Sequence, residues 1–227
     1  MTKLLNRAEA LQQKHSFRYP LPGMMAKRVA LPALDKAELL TDEQQSRIVE
    51  RYTDEAVRFI TANKDKPFFL YYALNLPHAN NEAKKDSPLG HGLECPDYGE
   101  FKDKEWPDAE KGFAQLVWFL DQEVGRVMDL LQKHHLAENT LVLFSSDNGP
   151  HQEGGHQSDF FNSNGDFKGI KRDMTDGGIR VPFLARWPGR IKPGTVSHHV
   201  GYFGDLMATW SEIAGGTRPT EHAADSL

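Results

Sequence analysis

A short apolar run that ends in an acid, an amide and a glycine constrains this chain most. Residues 140–144 are typical of a buried strand, and Ser145-Ser146-Asp147-Asn148-Gly149-Pro150 follows at once. Such a strand delivers side-chain oxygens to the carboxyl edge of a sheet, where open α/β folds bind ligands. The Asp147 and Asn148 oxygens suit a hard cation such as calcium or magnesium. A hairpin is the alternative, because Asn-Gly is a strong turn signal, but no alternating strand follows Pro150.

The remaining periodic segments alternate between helix and strand. Helical spacing of apolar residues predicts helices over residues 41–63, 108–136 and 203–214. The runs at Phe68–Leu74 and Val181–Ala185, like the run before Asp147, are unbroken rather than alternating, which is typical of strands covered on both faces. The order predicts an α/β fold with a mostly parallel sheet flanked by helices, the three runs being neighbouring strands. The long polar connection at 82–107 predicts a functional or disordered loop.

Composition excludes several classes of protein. The net charge of −5 and the scattered basic residues give no case for nucleic acid, and no apolar run is long enough to cross a bilayer. The single cysteine, Cys95, excludes an internal disulfide and is predicted to be a buried or inert thiol. Residues 1–40 form a poorly patterned leader without the apolar core of a secretory signal, so the compartment stays open.

Three polar segments follow or separate the predicted strands. They contain His78, the Asp147-Asn148 pair, and the cations between Lys168 and Arg180. A histidine, cations and an oxygen-ligated metal together suit an anionic ester of sulfate or phosphate, because the histidine can protonate a departing alkoxide while a cation holds an anionic oxygen. Taken singly, a lone histidine is more often structural and a lysine such as Lys171 is usually solvated. Their shared order along an α/β chain favours the site.

A series of motifs in the same order resembles a sulfatase of the arylsulfatase type, within the alkaline-phosphatase-like superfamily. The similarity runs from about Thr41 to Leu227, and motifs ordered over this distance are highly specific. They are Pro67-Phe68-Phe69-Leu70-Tyr71, Pro77-His78-Ala79, Ser146-Asp147-Asn148-Gly149-Pro150-His151, Phe160-Phe161-Asn162-Ser163-Asn164-Gly165, Lys168-Gly169-Ile170-Lys171-Arg172, Gly177-Gly178-Ile179-Arg180-Val181-Pro182 and Ala185-Arg186-Trp187-Pro188-Gly189.

The resemblance implies roles for six residues of this chain. In the family, one histidine lies near the bridging oxygen of the sulfate ester and serves as leaving-group acid, and one lysine contacts the sulfate. The family's second pair of calcium ligands is an aspartate followed by an asparagine. By position, the calcium ligands are Asp147 and Asn148, the catalytic residues are His78 and Lys171, and the neighbouring substrate contacts are His151 and Lys168.

Other parts of the family pattern are missing. The nucleophile of the family, a cysteine converted to formylglycine in a Cys-x-Pro/Ala-Ser-Arg motif, has no match, because Cys95 is followed by Pro96-Asp97-Tyr98-Gly99. The early Asp-Asp calcium pair and the lysine-histidine pair after the nucleophile are also absent. We therefore expect residues 41–227 to be the carboxyl-terminal part of a catalytic domain, a partial domain that does not hydrolyse sulfate esters alone.

The expected function follows from that assignment. The sequence predicts a calcium-assisted hydrolase of a sulfated small molecule or carbohydrate, with the missing amino-terminal half as a partner. One alternative is a catalytically inactive fragment of the same fold that acts as a binding or partner protein. The other alternative is a phosphoesterase of the same superfamily.

Overall fold

The computed structural model describes residues 47–81 and 90–217. The predicted leader at 1–40 lies outside the described residues, as does the predicted helix start at 41–46. The described residues fall into two compact units, one of 47–64, 70–81 and 90–196 and the other of 65–69 and 197–217. The larger unit contains helices α1 (Ile48–Asn63), α2 (Asp108–Lys133) and α3 (Asp176–Ile179), strands β1 (Val142–Ser145) and β2 (Phe183–Arg186), and 3-10 turns at Gly99–Phe101, Ala137–Asn139 and Ser158–Phe161.

Helices α1 and α2 pack against each other in the larger unit. The spacing that predicts α1 also gives its buried stripe, which consists of Val49, Thr53, Ala56, Phe59 and Ile60. Burial of each large apolar side chain on this stripe contributes about 1.5–3 kcal/mol. At the edge of the contact the Arg126 guanidinium pairs with Asp54 at 2.6 Å and with Glu123 at 2.7 Å. Only the pair with Asp54 joins the two helices, because Glu123 lies on α2 together with Arg126.

The carboxyl end of α2 is closed by a Schellman motif. The backbone N–H of Leu136 donates to the carbonyl of Leu131 at 2.8 Å, and that of His135 donates to Gln132 at 3.0 Å. The motif requires a left-handed residue at its turn, and His135 has φ 58°. Most such positions carry glycine, because a Cβ atom is strained there.

We expect His135→Gly to stabilise the protein by about 1 kcal/mol, since it removes the strain of a Cβ in the left-handed region. The melting temperature should rise by roughly 2–4 °C. The matched control is His135→Ala, which removes the ring and keeps the Cβ, and it should give no gain. Equal gains for both variants would show that the ring, not the backbone, carries the effect.

The sheet of the described residues is one antiparallel pair. Strand β1 pairs with β2 in the register Val142↔Arg186 to Ser145↔Phe183. The strand predicted before Asp147 is therefore confirmed. The mostly parallel sheet is not confirmed, because the described residues contain only this two-stranded sheet. All four residues of β2 are exposed, so the prediction of a strand covered on both faces is wrong for it.

The third predicted strand, Phe68–Leu74, is not formed. No strand is assigned there, and Tyr71 in its middle is 81% exposed. A strand exists only with a hydrogen-bonded neighbour, and the described residues give this segment none in a ladder. No residue from Phe68 to Leu74 is buried, so the prediction of a strand covered on both faces is wrong here as well.

The segment after residue 90 contributes two side chains to the hydrophobic core. Leu93 is fully buried and Cys95 is 5% exposed, and both pack with Ala79 and Leu116 of α2. Burial raises the pKa of the Cys95 thiol to about 12, with a smaller contribution from the charge of Asp97, so the prediction of an inert thiol is confirmed. Residues 90–107 are a loop, as predicted, apart from the 3-10 turn at Gly99–Phe101. Their packing in the core argues against the disordered alternative, the functional one stays a prediction, and 82–89 lies outside the described residues.

The smaller unit contains helix α4 (Asp205–Ile213), which confirms the predicted last helix. The Phe69 and Trp210 rings meet edge to face inside this unit, with centroids 5.0 Å apart. Within 47–81 and 90–217, none of the helices combines the length and apolar character that a bilayer crossing needs.

Candidate active site

Close backbone packing joins the segment after β1 to the segment that carries Lys171. The N–H of Gly149 donates to the carbonyl of Gly178 at 2.9 Å, and the N–H of Lys171 donates to Pro150 at 2.8 Å. A Cβ at Gly149 would lie 1.9 Å from the carbonyl oxygen of Gly177, so only glycine fits. The Asn-Gly and Gly-Gly pairs of the sequence are therefore a backbone contact that holds two candidate site segments together.

Two of the predicted catalytic residues are in direct contact. Lys171 Nζ lies 2.9 Å from Nε2 of His78 and 3.2 Å from Oε2 of Glu153. The His78 side chain is 52% exposed, whereas the Lys171 side chain is 15% exposed. The largely buried lysine is therefore held by the Glu153 carboxylate, while the imidazole of His78 faces solvent. The prediction that these two residues share one site is supported by this geometry.

The hydrogen bonds of His78 define where its proton lies. Nδ1 is 2.7 Å from the carbonyl oxygen of Ala79, which can only accept, so Nδ1 carries the hydrogen. Nε2 then accepts from the Lys171 ammonium. His78 is neutral in this arrangement, and its ring is oriented by its own main chain. Nε2 is the atom it presents to the site.

Glu153 is a site residue that the sequence did not single out. Its side chain is 9% exposed, with Lys171 and Asn81 donating to Oε2 and the Arg172 guanidinium 2.5 Å from Oε1. The Arg172 contact is an ion pair without hydrogen-bond geometry, because Oε1 has no donor. Burial alone would raise the pKa of Glu153, but the bonds from Lys171 and Asn81 and the two positive charges hold it at about 2.

Arg172 is a second residue that motif matching left without a role. Its backbone has φ 82°, a conformation that residues other than glycine rarely adopt. Its side chain is 71% exposed. The strained backbone turns the residue after Lys171 back toward Glu153. Two cations therefore share one buried carboxylate.

His151 supports the site from behind. Nε2 donates to the carbonyl of Pro77 at 3.0 Å, and Nδ1 accepts from the N–H of Glu153 at 3.2 Å. The residue is 7% exposed, and burial lowers the pKa of its imidazole, opposed only in part by the Pro77 carbonyl. The ring thus joins the His78 segment to the Glu153 segment. The substrate contact predicted for His151 stays a prediction. Because both ring nitrogens are hydrogen-bonded, such a contact would require one of these bonds to break.

A buried hydrogen bond between Glu110 and His156 anchors the same loop to α2. Glu110 accepts from Nδ1 of His156 at 2.5 Å and from the backbone N–H of Gln157 at 2.8 Å. Glu110 is 2% exposed and His156 is fully buried. The His156 ring stacks on Phe113 with centroids 3.7 Å apart and an angle of 4° between planes. This anchor fixes the loop that carries His151 and Glu153.

The predicted metal ligands are two side chains, one carboxylate and one amide. Asp147 is exposed, and the amide nitrogen of Asn148 donates to the carbonyl of Gly149 at 3.1 Å, which leaves the amide oxygen available. This donor set fits part of a calcium site, since calcium takes about 6–8 oxygens. Within 47–81 and 90–217 no group of three or more His, Cys, Asp or Glu residues could hold a metal. Lys168 is exposed, and its carbonyl accepts from the Thr175 hydroxyl at 2.6 Å and from the backbone N–H of Gly177 at 2.8 Å.

We expect the melting temperature to fall as the pH is lowered from about 6.5. Burial lowers the pKa of both His151 and His91 in the folded protein, so the unfolded chain binds more protons in this range. The stabilisation is complete above the unfolded pKa and is lost as the pH falls toward the folded pKa values. For each histidine, every pH unit between the folded and the unfolded pKa contributes about 1.4 kcal/mol to the free energy of unfolding.

Thermal denaturation between pH 8 and pH 5 measures this loss. His151→Asn should flatten the decline, whereas the control His198→Asn, at an exposed position, should leave it unchanged. A decline of equal steepness in both variants would contradict the assignment to His151.

The sequence of this chain is similar to those of known sulfatases. A family model described as Sulfatase matches residues 9–216. N-acetylgalactosamine-6-sulfatase of Homo sapiens is 35% identical over 190 residues, which is 81% of this chain and 32% of that protein. The arylsulfatase of Hemicentrotus pulcherrimus is 31% identical over 186 residues, 80% of this chain and 29% of that protein. The chain spans about a third of the length of these curated relatives.

A solved structure extends the match to the fold. The crystal structure of Ps i-CgsB in complex with k-i-k-neocarrahexaose superposes with a TM-score of 0.64 at 31% identity, covering 79% of this chain and 37% of that one. The PsFucS1 sulfatase from Pseudoalteromonas sp. also superposes, with a TM-score of 0.59 at 26% identity over 80% of this chain and 32% of that one. The α/β, alkaline-phosphatase-like fold class predicted from the sequence is therefore confirmed. Since the family model covers most of the sequence, the chain belongs to the sulfatase family.

Proposed function

We propose that this chain carries the carboxyl-terminal part of the active site of a sulfuric ester hydrolase. The single observation that supports it best is the 2.9 Å contact between Lys171 Nζ and His78 Nε2. It joins residues 93 positions apart in the two segments that match sulfatase motifs. A cation beside an oriented, solvent-facing imidazole suits an anionic ester whose leaving oxygen needs a proton.

The chemistry proposed for this chain is substrate positioning and proton delivery. The Lys171 ammonium would turn from His78 to an anionic oxygen of the sulfate and would keep its hydrogen bond to Glu153. Nε2 of His78, freed from the lysine and protonated, would then donate to the departing alkoxide, and the Nδ1 bond to Ala79 keeps the ring aimed. Lys168 and His151 are proposed as further substrate contacts.

Asp147 and Asn148 would hold a calcium ion, which when bound supplies positive charge to the sulfate oxygens. The sequence carries no match to the formylglycine motif of the family. The remaining calcium ligands and the nucleophile are proposed to come from an amino-terminal partner segment. That segment would also complete the mostly parallel sheet, with residues 41–227 as the carboxyl-terminal part of the domain.

The proposed substrate is a sulfated carbohydrate or a sulfated small molecule. Two kinds of relatives support this class: one is named for a sulfated amino sugar, and one solved neighbour was crystallised with an oligosaccharide. A phosphoesterase of the same superfamily and a non-catalytic binding protein are the rivals. Activity on aryl phosphate in place of aryl sulfate would favour the first.

An aryl sulfate assay with added calcium tests the proposal. We expect no turnover by this chain alone, and calcium-dependent turnover when it is co-expressed with the sequence encoded directly upstream. Asp147→Ala should then lower turnover by about 10–100-fold at limiting calcium, because it removes a charged ligand. The control Asp129→Ala, on α2 away from the loop after β1, should leave calcium dependence unchanged. No turnover in any preparation would favour the non-catalytic alternative.

A further inference from the structure

The buried carboxylate of Glu153 changes the charge that the site offers to an anion. Four side chains face it: Lys171 and Arg172 are positive, and His78 and Asn81 are neutral. Because one fixed negative charge lies between two positive ones, the cluster has a net charge of one. The carboxylate is 9% exposed, so an incoming anion meets the cations first and finds the negative charge directly behind them.

We propose that Glu153 is a specificity-determining residue that makes this site select singly charged esters over doubly charged ones. The inference rests on the proposed function, which brings an anionic ester to Lys171. A sulfate monoester carries one negative charge, whereas a phosphate monoester carries close to two above its second pKa of about 6. One net positive charge matches the first and leaves the second with an unpaired charge in a partly desolvated site.

The size of the discrimination follows from Coulomb's law. A second ligand charge roughly 6 Å from the Glu153 carboxylate, at an effective dielectric constant of about 20–40, changes affinity by about 10–100-fold. The position of Glu153 favours a large effect, because its contact with Lys171 is 3.2 Å and its side chain is screened from water. An exposed carboxylate at the same distance would be screened by salt and would discriminate little.

Binding of phenyl sulfate and phenyl phosphate to the 227-residue chain tests the inference, with the His78 ring resonance as readout. At pH 8, Glu153→Gln should strengthen phosphate binding about tenfold or more relative to sulfate binding. At pH 5 both ligands are singly charged, so the variant should change their ratio little. The control Glu138→Gln, an exposed carboxylate on another turn, should leave the ratio unchanged at both pH values.

Charge-balanced variants separate the effect from a folding defect. Arg172→Gln removes one cation at a side chain that is 71% exposed, where salt screens the charge, so it should shift the ratio toward sulfate by only a few-fold. The double variant Glu153→Gln, Arg172→Gln restores the net charge and should bring the ratio part of the way back. An unchanged ratio in both folded single variants would overturn the inference, as would the absence of binding to either ligand. Binding without turnover under any condition would contradict only the proposed function.

Discussion

Replacement of His78 by glutamine is expected to slow hydrolysis of a sulfate ester by roughly 100- to 10,000-fold while KM changes little. Glutamine can still accept the hydrogen bond that Lys171 gives to Nε2, at 2.9 Å in the parent protein, but it cannot transfer a proton to the departing oxygen. The loss therefore falls on kcat. The measurement is a kinetic comparison in the preparation that contains the upstream segment.

A comparison of two substrates with different leaving groups distinguishes loss of proton transfer from general disruption of the site. Nitrophenolate departs without help, whereas an alkoxide of a sugar needs a proton, so the defect of His78→Gln should be much larger for a sugar sulfate than for nitrophenyl sulfate. His199→Gln, at an exposed position in the other unit, is the control and should be unaffected for both. Equal losses for the two substrates would show that His78 positions the sulfate and does not protonate the leaving group.

Sequence reasoning found the residues of the site whose spacing is fixed by the backbone. The Asn-Gly pair after β1 and the Gly-Gly pair before β2 pack main chain against main chain, which leaves no room for a Cβ at Gly149. Such contacts leave a readable pattern, because only one residue type fits. The backbone N–H of Lys171 donates to Pro150, but any residue except proline could make this bond, so only motif order identified Lys171. Motif order was therefore enough to bring His78 and Lys171 to one place.

The supporting carboxylates could not be found in this way. Glu153 meets Lys171 across 18 positions, and Glu110 meets His156 across 46, and neither carboxylate stands in a pattern that distinguishes it from a solvated one. A buried charge is recognisable only from its surroundings, and those depend on tertiary packing. The failed strand at 68–74 has the same origin, since a strand needs a neighbour that local sequence does not specify.

The largest loss of stability is expected from Glu110→Ala, which should lower the free energy of unfolding by about 3–5 kcal/mol. The substitution leaves His156 fully buried with Nδ1 unpaired, and its Nε2 already has no hydrogen-bond partner. It also removes the acceptor of the Gln157 backbone N–H, 2.8 Å from Oε1. A buried polar group without a partner costs its full desolvation energy.

Chemical denaturation of Glu110→Ala, with Glu105→Ala at an exposed position as the matched control, measures this loss; the control should change stability by less than about 0.5 kcal/mol. The double variant Glu110→Leu, His156→Phe removes both partners and keeps the stacking on Phe113, so it should recover much of the stability. A double variant that loses the sum of the two single effects would contradict the pair as the cause. Partial recovery with weakened anion binding would instead show that the Glu110–His156 hydrogen bond, beyond holding the loop, sets the positions of His151 and Glu153.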